Sequence, residues 1–419
     1  MITTINNKHK KLNVPNLRFP EFEGEWKKCK VSDLLDFYST NSLSWDKLEY
    51  GTDAIQNLHY GLIHVGLSTM IDLSKDKLPN ITNGNTPKNY ELCQEGDIAF
   101  ADASEDTNEV AKAVEFYKLK GKDVICGLHT IHGRDNLQKT VVGYKGYAFS
   151  STAFHHQIRR IAQGTKIYSI NSKNFSECYI GIPSKEEQKK IATLLRLIDE
   201  RIVTQNKIIE DLKMLKSAII ENVFDDKHSE RLQLDNVGSY IRGLTYSSND
   251  VVEHGGTLVM RSNNIVNGSL LDYNNNVVFV NKQMSAEQQL QNGDIVICMA
   301  NGSSSLVGKS SFYDGNCHSP ITIGAFCGIY RSKEPIVKWL FQTNKYRRYI
   351  WNSLQGGNGA IANLNGEDIL NMSFSIPNAP IKDTCVKMLT SVDSALENNM
   401  SLCALYTLQK QHLLRQMFI

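Results

Sequence analysis

Two segments of the chain lack glycine and proline and carry apolar side chains at a seven-residue period. They extend from Ser184 to Phe224 and from Ile381 to Ile419. Because this period keeps side chains on one face of an α-helix, each segment predicts a helix of about 40 residues, on the order of 60 Å long. Ser184 and Glu187 form the S-x-x-E pattern that is typical of a helix start. The apolar stripes are Ile191, Leu195, Ile198, Ile202, Ile209, Leu212, Ile219 and Val223 in the first segment, and Cys385, Leu389, Val392, Leu396, Tyr406, Leu413 and Met417 in the second.

One polar residue interrupts the main stripe of each predicted helix, Gln205 in the first and Asn399 in the second. Both lie near the midpoint of their segment, so they would be level in a parallel or an antiparallel pair. A hydrogen bond across the seam would then fix the register of an intramolecular coiled coil. The pattern alone leaves the orientation open. The alternative is two unrelated surface helices that each tolerate one polar residue.

The chain also repeats itself. A shift of 194 residues places Ile170–Phe224 over Leu364–Phe418 without a gap, and the apolar positions coincide throughout. A shift of 197 places Gly96-Asp97-Ile98 over Gly293-Asp294-Ile295. The order of the matches is preserved, so the chain is a tandem duplication of a unit of about 195 residues.

The first part of each unit is rich in Gly, Asn and Ser and contains short β-branched runs such as Asp97–Phe100 and Asp294–Cys298. These runs favour short strands separated by long loops. The prediction is an α+β fold of two tandem mixed α/β domains, each followed by a long α-helix. The boundaries are 1–14 for an amino-terminal segment, 15–182 and 228–376 for the mixed domains, and 183–227 and 377–419 for the helices.

Composition narrows the class of protein. Forty-six Lys and Arg balance 44 Asp and Glu, which gives a formal charge of +2 and argues against an indiscriminate nucleic-acid coat protein. Nine cysteines without a C-x-x-C pair or zinc-type spacing indicate reduced thiols in a cytoplasm and no metal site. We expect neither a membrane-spanning helix nor a signal peptide, and hence a cytoplasmic protein.

Two stretches of sequence resemble the specificity (S) subunit of type I restriction–modification enzymes. Pro15–Phe22, followed by Glu25-Trp26, is similar to the start of a first target-recognition domain. Ile182-Pro183-Ser184, followed by 186–191 (EEQKKI) and Ile198-Asp199, is similar to the central conserved region of the family. The distal copy departs from this motif, because residues 378–382 read NAPIK.

The resemblance implies a non-catalytic DNA-recognition subunit. Its two target-recognition domains would each read one half of a bipartite site in double-stranded DNA, and its helices would form an antiparallel spacer. Two methyltransferase (modification) subunits would dock on it and methylate adenine N6, and restriction/translocase subunits would complete the complex. S-adenosylmethionine, ATP and Mg²⁺ would belong to those partners, with no cofactor in this chain.

Basic side chains concentrate at corresponding places in the two repeats. Residues 128–173 hold seven Lys or Arg against one acid, and residues 331–348 hold six against one. Such local faces suit phosphate contacts, whereas Arg, Asn and Gln in loops suit the edges of bases. The candidate DNA-binding residues are Gln56, Asn57, His59, Tyr60, Lys112, Arg134, Arg159 and Arg160 in the first repeat, and Arg242, Tyr246, Arg261, Asn263, Asn264, Asn301, Ser303, Lys309, Arg331, Lys345, Arg347 and Arg348 in the second.

Other functions are less well supported. The run Gly302–Ser310 has five residues between its glycines where a phosphate-binding loop needs four. His155-His156 and Cys317-His318 lack further partners for a metal or a nucleophile. The alternative from another class is a two-domain coiled-coil adaptor that assembles proteins without binding DNA.

Overall fold

A computed structural model describes residues 13–225, 230–354 and 362–419. The predicted amino-terminal segment 1–14 lies almost entirely outside these residues. The chain divides into two compact units. The first unit comprises the residues up to Asn206 together with Ser401–Ile419, and the second is Lys207–Met400. Among the described residues, no helix is both long enough and apolar enough to cross a bilayer.

The first unit is built on short strands. Its five-stranded sheet has the order β2-β11-β7-β9-β5, and a four-stranded sheet has the order β10-β4-β6-β3. There are two further pairs: β1-β13 joins the first strand of the unit to its last, and β8-β12 joins the segment after β7 to the segment after α4. The strands are β1 Lys27–Lys30, β2 Asp36–Tyr38, β3 Leu48–Glu49, β4 Gln56–Leu58, β5 Met70–Asp72, β6 Asn80–Ile81, β7 Ile98–Ala101, β8 Ala103–Ser104, β9 Ala113–Lys118, β10 Val124–Cys126, β11 Thr130–Arg134, β12 Tyr168–Ser169 and β13 Tyr179–Ile182, and the short helices are α1 Val31–Leu34, α2 Tyr60–His64, α3 Lys145–Phe149, α4 Thr152–Ile161 and α5 Ser172–Ser176.

A long helix, α6 (Lys185–Val223), follows the first set of strands. The hydroxyl of Ser184 accepts a hydrogen bond from the Glu187 N–H at 3.2 Å, which confirms the predicted helix start. The Glu187 carboxylate, which is buried, binds the Arg18 guanidinium through two contacts of 2.8 Å and accepts from the Trp26 indole at 3.3 Å. The two stretches that carry the family resemblance are therefore in direct contact.

The second unit repeats this arrangement. One sheet has the order β15-β23-β19-β21, the other has the order β16-β18-β17-β22, and the pairs are β14-β25 and β20-β24. The strands are β14 Glu230–Gln233, β15 Gly238–Arg242, β16 Val251–Val252, β17 Thr257–Met260, β18 Val278–Val280, β19 Ile295–Cys298, β20 Ala300–Asn301, β21 Ser310–Phe312, β22 Ile321–Ile323, β23 Cys327–Ser332, β24 Ala362–Asn363 and β25 Ser373–Ile376, and the helices are α7 Leu234–Val237, α8 Val337–Leu340, α9 Asn344–Leu354, α10 Gly366–Leu370 and the long α11 Ala379–Gln416.

The two long helices are antiparallel. In the first unit the early part of α6 pairs with the late part of α11, where Lys410 Nζ lies 2.6 Å from Asp199 Oδ1. In the second unit the late part of α6 pairs with the early part of α11, where Lys216 Nζ lies 2.7 Å from Asp393 Oδ1. The predicted fold class, including the antiparallel coiled coil, is confirmed.

The apolar stripes of both helices enter the cores of the units. Leu195 and Met417 belong to the main core of the first unit, and Ile220 and Leu389 belong to that of the second. Gln205, in the first unit, is almost fully buried. Asn399, in the second unit, donates its amide to the Ala395 carbonyl of its own helix at 2.6 Å. Their joint role in register stays a prediction.

Candidate nucleic-acid interface

In the first unit, aromatic and histidine side chains gather where β4 leads into α2. His59 caps α2, because its Nδ1 accepts from the Gly61 N–H at 3.1 Å. Its ring lies between Trp45 and Tyr60, with centroid distances of 4.5 and 4.7 Å. Burial lowers the pKa of His59, so this ring is neutral at neutral pH. His59 is buried, and the more accessible Trp45 and Tyr60 are the groups able to meet a ligand.

Two segments complete this surface: the loop after β7, which contains Asp102 and Glu109, and the turn before β11, which contains His129. His129, exposed, places its ring 5.2 Å from that of Tyr60 and its Nδ1 3.2 Å from Asp102 Oδ1. Lys112 Nζ lies 2.7 Å from the Glu109 carboxylate and donates to the His64 carbonyl at 3.1 Å. We call the set Trp45, Tyr60, His64, Lys112 and His129 face 1. It offers stacking surfaces and ring nitrogens, and the positive charge of Lys112 is partly neutralised by Glu109.

The last turn of α4 lies beside the same loop. Arg159 donates to Asn108 Oδ1 at 2.9 Å, and a second guanidinium nitrogen lies 2.9 Å from His156 Nδ1. Arg159 and Arg160 are both exposed. The structure thus brings the predicted basic residues of α4 next to the loop that follows β7.

Two predicted base readers of the first unit are inside the protein. Asn57 is fully buried and pairs with the Asn41 side chain at 3.3 Å. Gln56 is also buried, and its amide donates to the Leu78 carbonyl at 3.4 Å. Both residues therefore support the strand that carries His59 and Tyr60, and we no longer propose them as base contacts.

The second unit presents a different surface at the corresponding place. Arg261 and Asn263 are exposed on a turn, and Asn301 joins the next loop to that turn through a 3.3 Å contact with Ser262 Oγ. Ser303 is exposed in the same loop. Phe326 stands 197 residues after His129 and leaves 67% of its surface open to solvent. We call Arg261, Asn263, Asn301, Ser303 and Phe326 face 2.

Asn264 belongs to the support of face 2. It is buried, it accepts from the Arg261 N–H at 2.9 Å, and it donates to the carbonyls of Asp272 and Asn275 at 3.0 and 2.8 Å. With its hydrogen-bonding groups used inside the protein, Asn264 holds the turn and is not available to a base.

Helix α9 is the most accessible basic element of the second unit. Arg347 and Arg348 are exposed, and Trp351 is 66% exposed on the following turn. Tyr346, in contrast, is buried and donates to the Gly308 carbonyl at 2.8 Å, which fixes α9 beside the half-buried Lys309.

Three more predicted residues do not join these surfaces directly. Lys345 is half-buried on α9, Arg242 is exposed at the end of β15, and Tyr246 packs against a small core that contains Leu244.

Two arginines counted in the basic stretches are part of the framework. Arg134 and Arg331 each grip the aspartate of a Gly-Asp-Ile sequence, Asp97 and Asp294 respectively, with contacts of 2.7 to 2.9 Å. Each also donates to a backbone carbonyl, at Leu92 and Gln289, which lie 197 residues apart. Because these guanidiniums are occupied and largely buried, we no longer propose them as phosphate contacts.

Sequence reasoning did not single out Trp45, His64, Phe326 or Trp351. An isolated aromatic residue in a sequence gives no sign of whether it is buried or exposed. One signal was available: applying the 197-residue shift to His129 points directly to Phe326.

Fold and surface together define a class: a protein of two homologous units with different polar-aromatic faces, linked by an antiparallel helix pair. Residues 76–214 match the family model described as type I restriction modification DNA specificity domain. The EcoKI specificity subunit of Escherichia coli (strain K12) is 35% identical over 155 residues, which cover 35% of this chain and 31% of that protein. The StySPI specificity subunit of Salmonella potsdam is 34% identical over 153 residues, with 35% and 31% covered.

Among solved structures, the S subunit of a type I restriction–modification system from M. genitalium matches with a TM-score of 0.59 and 15% identity. The match covers 97% of this chain and 99% of that one, so the shared fold extends over nearly the whole of both chains. The predicted resemblance is confirmed: the chain is related to the specificity subunits of type I restriction–modification enzymes. The chain spans 31% of the length of each of the two curated relatives above.

Proposed function

We propose that this chain is the DNA sequence-recognition (specificity) subunit of a type I restriction–modification complex. It reads a bipartite site in double-stranded DNA with one unit per half-site. It is not itself catalytic and directs adenine N6 methylation or restriction by partner subunits. Two modification subunits and the restriction/translocase subunits are the proposed partners, and S-adenosylmethionine, ATP and Mg²⁺ act in those subunits.

One observation carries the proposal: two units share a framework to the level of single hydrogen bonds, yet differ where that framework ends. The Asp97–Arg134 and Asp294–Arg331 contacts are equivalent. Outside this shared framework the two surfaces differ. Face 1 presents Tyr60 and His129, whereas face 2 presents Arg261, the amides of Asn263 and Asn301, and Phe326. A conserved scaffold with divergent loops suits the reading of two unlike half-sites, because base contacts specify sequence while the scaffold fixes geometry.

Helix α9 supplies a direct test. We expect Arg347→Glu with Arg348→Glu to weaken DNA binding by the complete complex without changing the target sequence. If each arginine neutralises one phosphate, the slope of log affinity against log salt concentration should fall by about two. The measurement is a gel-shift titration at several salt concentrations, with methylated adenines mapped across a genome that expresses each variant.

The matched control is Lys120→Glu with Lys122→Glu. These exposed lysines lie in the turn after β9, at the opposite end of that strand from Lys112, and should leave the salt slope unchanged. Absence of any sequence-selective binding by the unmodified complex would instead favour the adaptor, which assembles proteins and does not read DNA.

A further inference from the structure

Three ligand-type side chains from separate elements of the first unit converge in its core. Cys93 precedes β7, Cys126 ends β10 and His132 lies in the middle of β11. The two Sγ atoms and one ring nitrogen of His132 all lie within 4.8 Å of one another, and all three residues are buried. The spacing along the chain resembles no zinc motif, because the ligands meet only after the sheets have formed.

The sulfur atoms are already at the separation that a metal requires. Cys93 Sγ and Cys126 Sγ lie 3.6 Å apart. Two thiolates on a tetrahedral zinc ion, with Zn–S distances of about 2.3 Å, are about 3.8 Å apart. A disulfide would need the sulfurs to move to about 2.05 Å. The observed separation is much nearer to that of a pair of metal ligands.

The imidazole of His132 is oriented as metal-binding histidines are. Its Nε2 lies 2.7 Å from Asp97 Oδ2, and an ionised carboxylate can only accept, so Nε2 carries the proton. In the neutral imidazole, Nδ1 then keeps its lone pair, and Nδ1 is buried without a hydrogen-bond partner within the part of the chain that the structure describes. A carboxylate behind the distal nitrogen is the usual support of a ligating histidine. Here Asp97 is itself held by Arg134 at 2.8 Å.

The second unit provides an internal comparison. The positions 197 residues later are Leu290, Ile323 and Ile329, and all three are buried in its core. The backbone matches as well, since the Cys93 N–H donates to Val124 at 2.8 Å and the Leu290 N–H donates to Ile321 at 3.0 Å. The fold therefore packs with three aliphatic side chains at these positions, and packing does not require two thiols and an imidazole there.

We propose that Cys93, Cys126 and His132 bind a zinc ion in the core of the first unit. Two thiolates neutralise the charge of Zn²⁺, so the buried site has no net charge, and neutral His132 adds a third ligand. A water molecule completes the tetrahedron. The ion would cross-link β10, β11 and the segment before β7, and so stabilise the sheets under face 1.

The test is metal analysis of the purified full-length chain, produced with zinc and washed with a chelator. We expect a single zinc per chain, and after exchange into Co²⁺ the intense thiolate-to-cobalt charge-transfer absorption of a Cys-ligated site. Cys93→Leu with Cys126→Ile and His132→Ile, which copies the second unit, should fold by circular dichroism and lose both signals.

Cys298→Ala with Cys327→Ala is the matched control. These two buried cysteines face each other across β19 and β23 in the second unit, with no histidine among their neighbours in register, and their loss should leave zinc content unchanged. A wild-type chain that holds no zinc and gives no cobalt–thiolate absorption would overturn the proposal. So would metal retained by the triple variant, because the ion would then lie elsewhere.

Discussion

Asp97 and Asp294 illustrate how a motif that is weak in sequence becomes decisive in structure. Each follows a glycine at the start of a buried strand, accepts from the backbone N–H three residues before it (Gln94 or Gln291) and binds an arginine of the adjacent strand. The density of basic residues along the sequence predicted Arg134 and Arg331 on a DNA-binding surface. The sequence alone does not show which carboxylates bind these arginines. The partner aspartates lie 37 residues earlier in both repeats, a separation that only strand pairing explains.

This contact makes the stability of the first unit depend on pH. Burial alone would raise the pKa of Asp97. The hydrogen bonds from His132 and Arg134 outweigh this effect and leave that pKa below its ordinary value. The stabilisation is therefore present above the unfolded pKa of about 3.9 and is lost as the pH falls through the folded pKa. We expect Asp97→Asn to cost on the order of 3 kcal/mol at neutral pH, because it leaves Arg134 without its main counter-charge.

Urea unfolding of the two proteins at about pH 7 and about pH 3.5 measures this difference. The free-energy gap between wild type and variant should narrow at the lower pH. Asp123→Asn, at an exposed turn, should show no gap at either pH. A gap that stays constant with pH would mean that Asp97 acts through its shape and not through its charge.

At the level of elements, the long helices were predictable and their attachments were not. Their period, their freedom from Gly and Pro and the Ser184 cap identify them without reference to the rest of the chain. Lys216 and Lys410, however, occupy stripe positions where the heptad pattern expects apolar residues. Asp199 binds Lys410 and accepts from the Tyr147 hydroxyl at 2.8 Å, and Asp393 binds Lys216 and accepts from the Trp339 indole at 3.1 Å.

The short elements show the same limit. The repeat is visible in the sequence, and it predicts that both units have the same topology. It did not indicate that Asn57 and Asn264 are interior supports, because an amide in a β-rich segment suits a buried turn as well as a base contact. The difference depends on which carbonyls the folded loop brings to the amide, such as those of Asp272 and Asn275, which lie 8 and 11 residues after Asn264 and accept from it.

The ion pair between Lys216 and Asp393 in the second unit can be tested by substitution. Asp393→Asn leaves Lys216 Nζ, in a side chain only 9% exposed, without its counter-charge, and we expect a loss of about 3–5 kcal/mol in the free energy of unfolding. Replacing both partners, Lys216→Met with Asp393→Leu, should recover only part of that loss. An apolar pair suits the stripe, but the Trp339 indole and Lys338 Nζ, 3.1 and 2.9 Å from Asp393 Oδ2, still lose their acceptor. Chemical denaturation followed by far-ultraviolet circular dichroism gives both values.

The control is Asp211→Asn, at an exposed position of α6, which should leave the free energy of unfolding unchanged. Equal losses for Asp211→Asn and Asp393→Asn would refute the role of Asp393 in the helix seam.

On the scale of the whole molecule, each unit is completed by a helix half from the other repeat. The proposed consequence for recognition is that helix length sets the number of unread base pairs between the half-sites, whereas the faces set the bases that are read. The two properties should therefore be separable by mutation.

A four-residue insertion after Gln205, matched by one beside Asn399, tests this separation. It lengthens each helix by about 6 Å, close to two base-pair steps of about 3.4 Å. We expect methylome mapping to show a changed spacer between unchanged half-sites. An unchanged spacer would refute the role of the helices as a ruler, and altered half-sites would mean that the insertion had disturbed the faces.

The contacts of the last residues have a consequence for the order of folding. The Leu17 N–H donates to the Gln416 carbonyl at 2.9 Å, and Phe418 packs against Trp26 and Tyr144 inside the first unit. The second unit is a continuous stretch that is complete once Met400 has been synthesised. The first unit begins to be synthesised before the second but is completed after it. Its core is incomplete until Leu413, Met417 and Phe418 have been synthesised. A ribosome that stops early would release a chain with one finished unit, so both units are finished only on chains translated through Phe418.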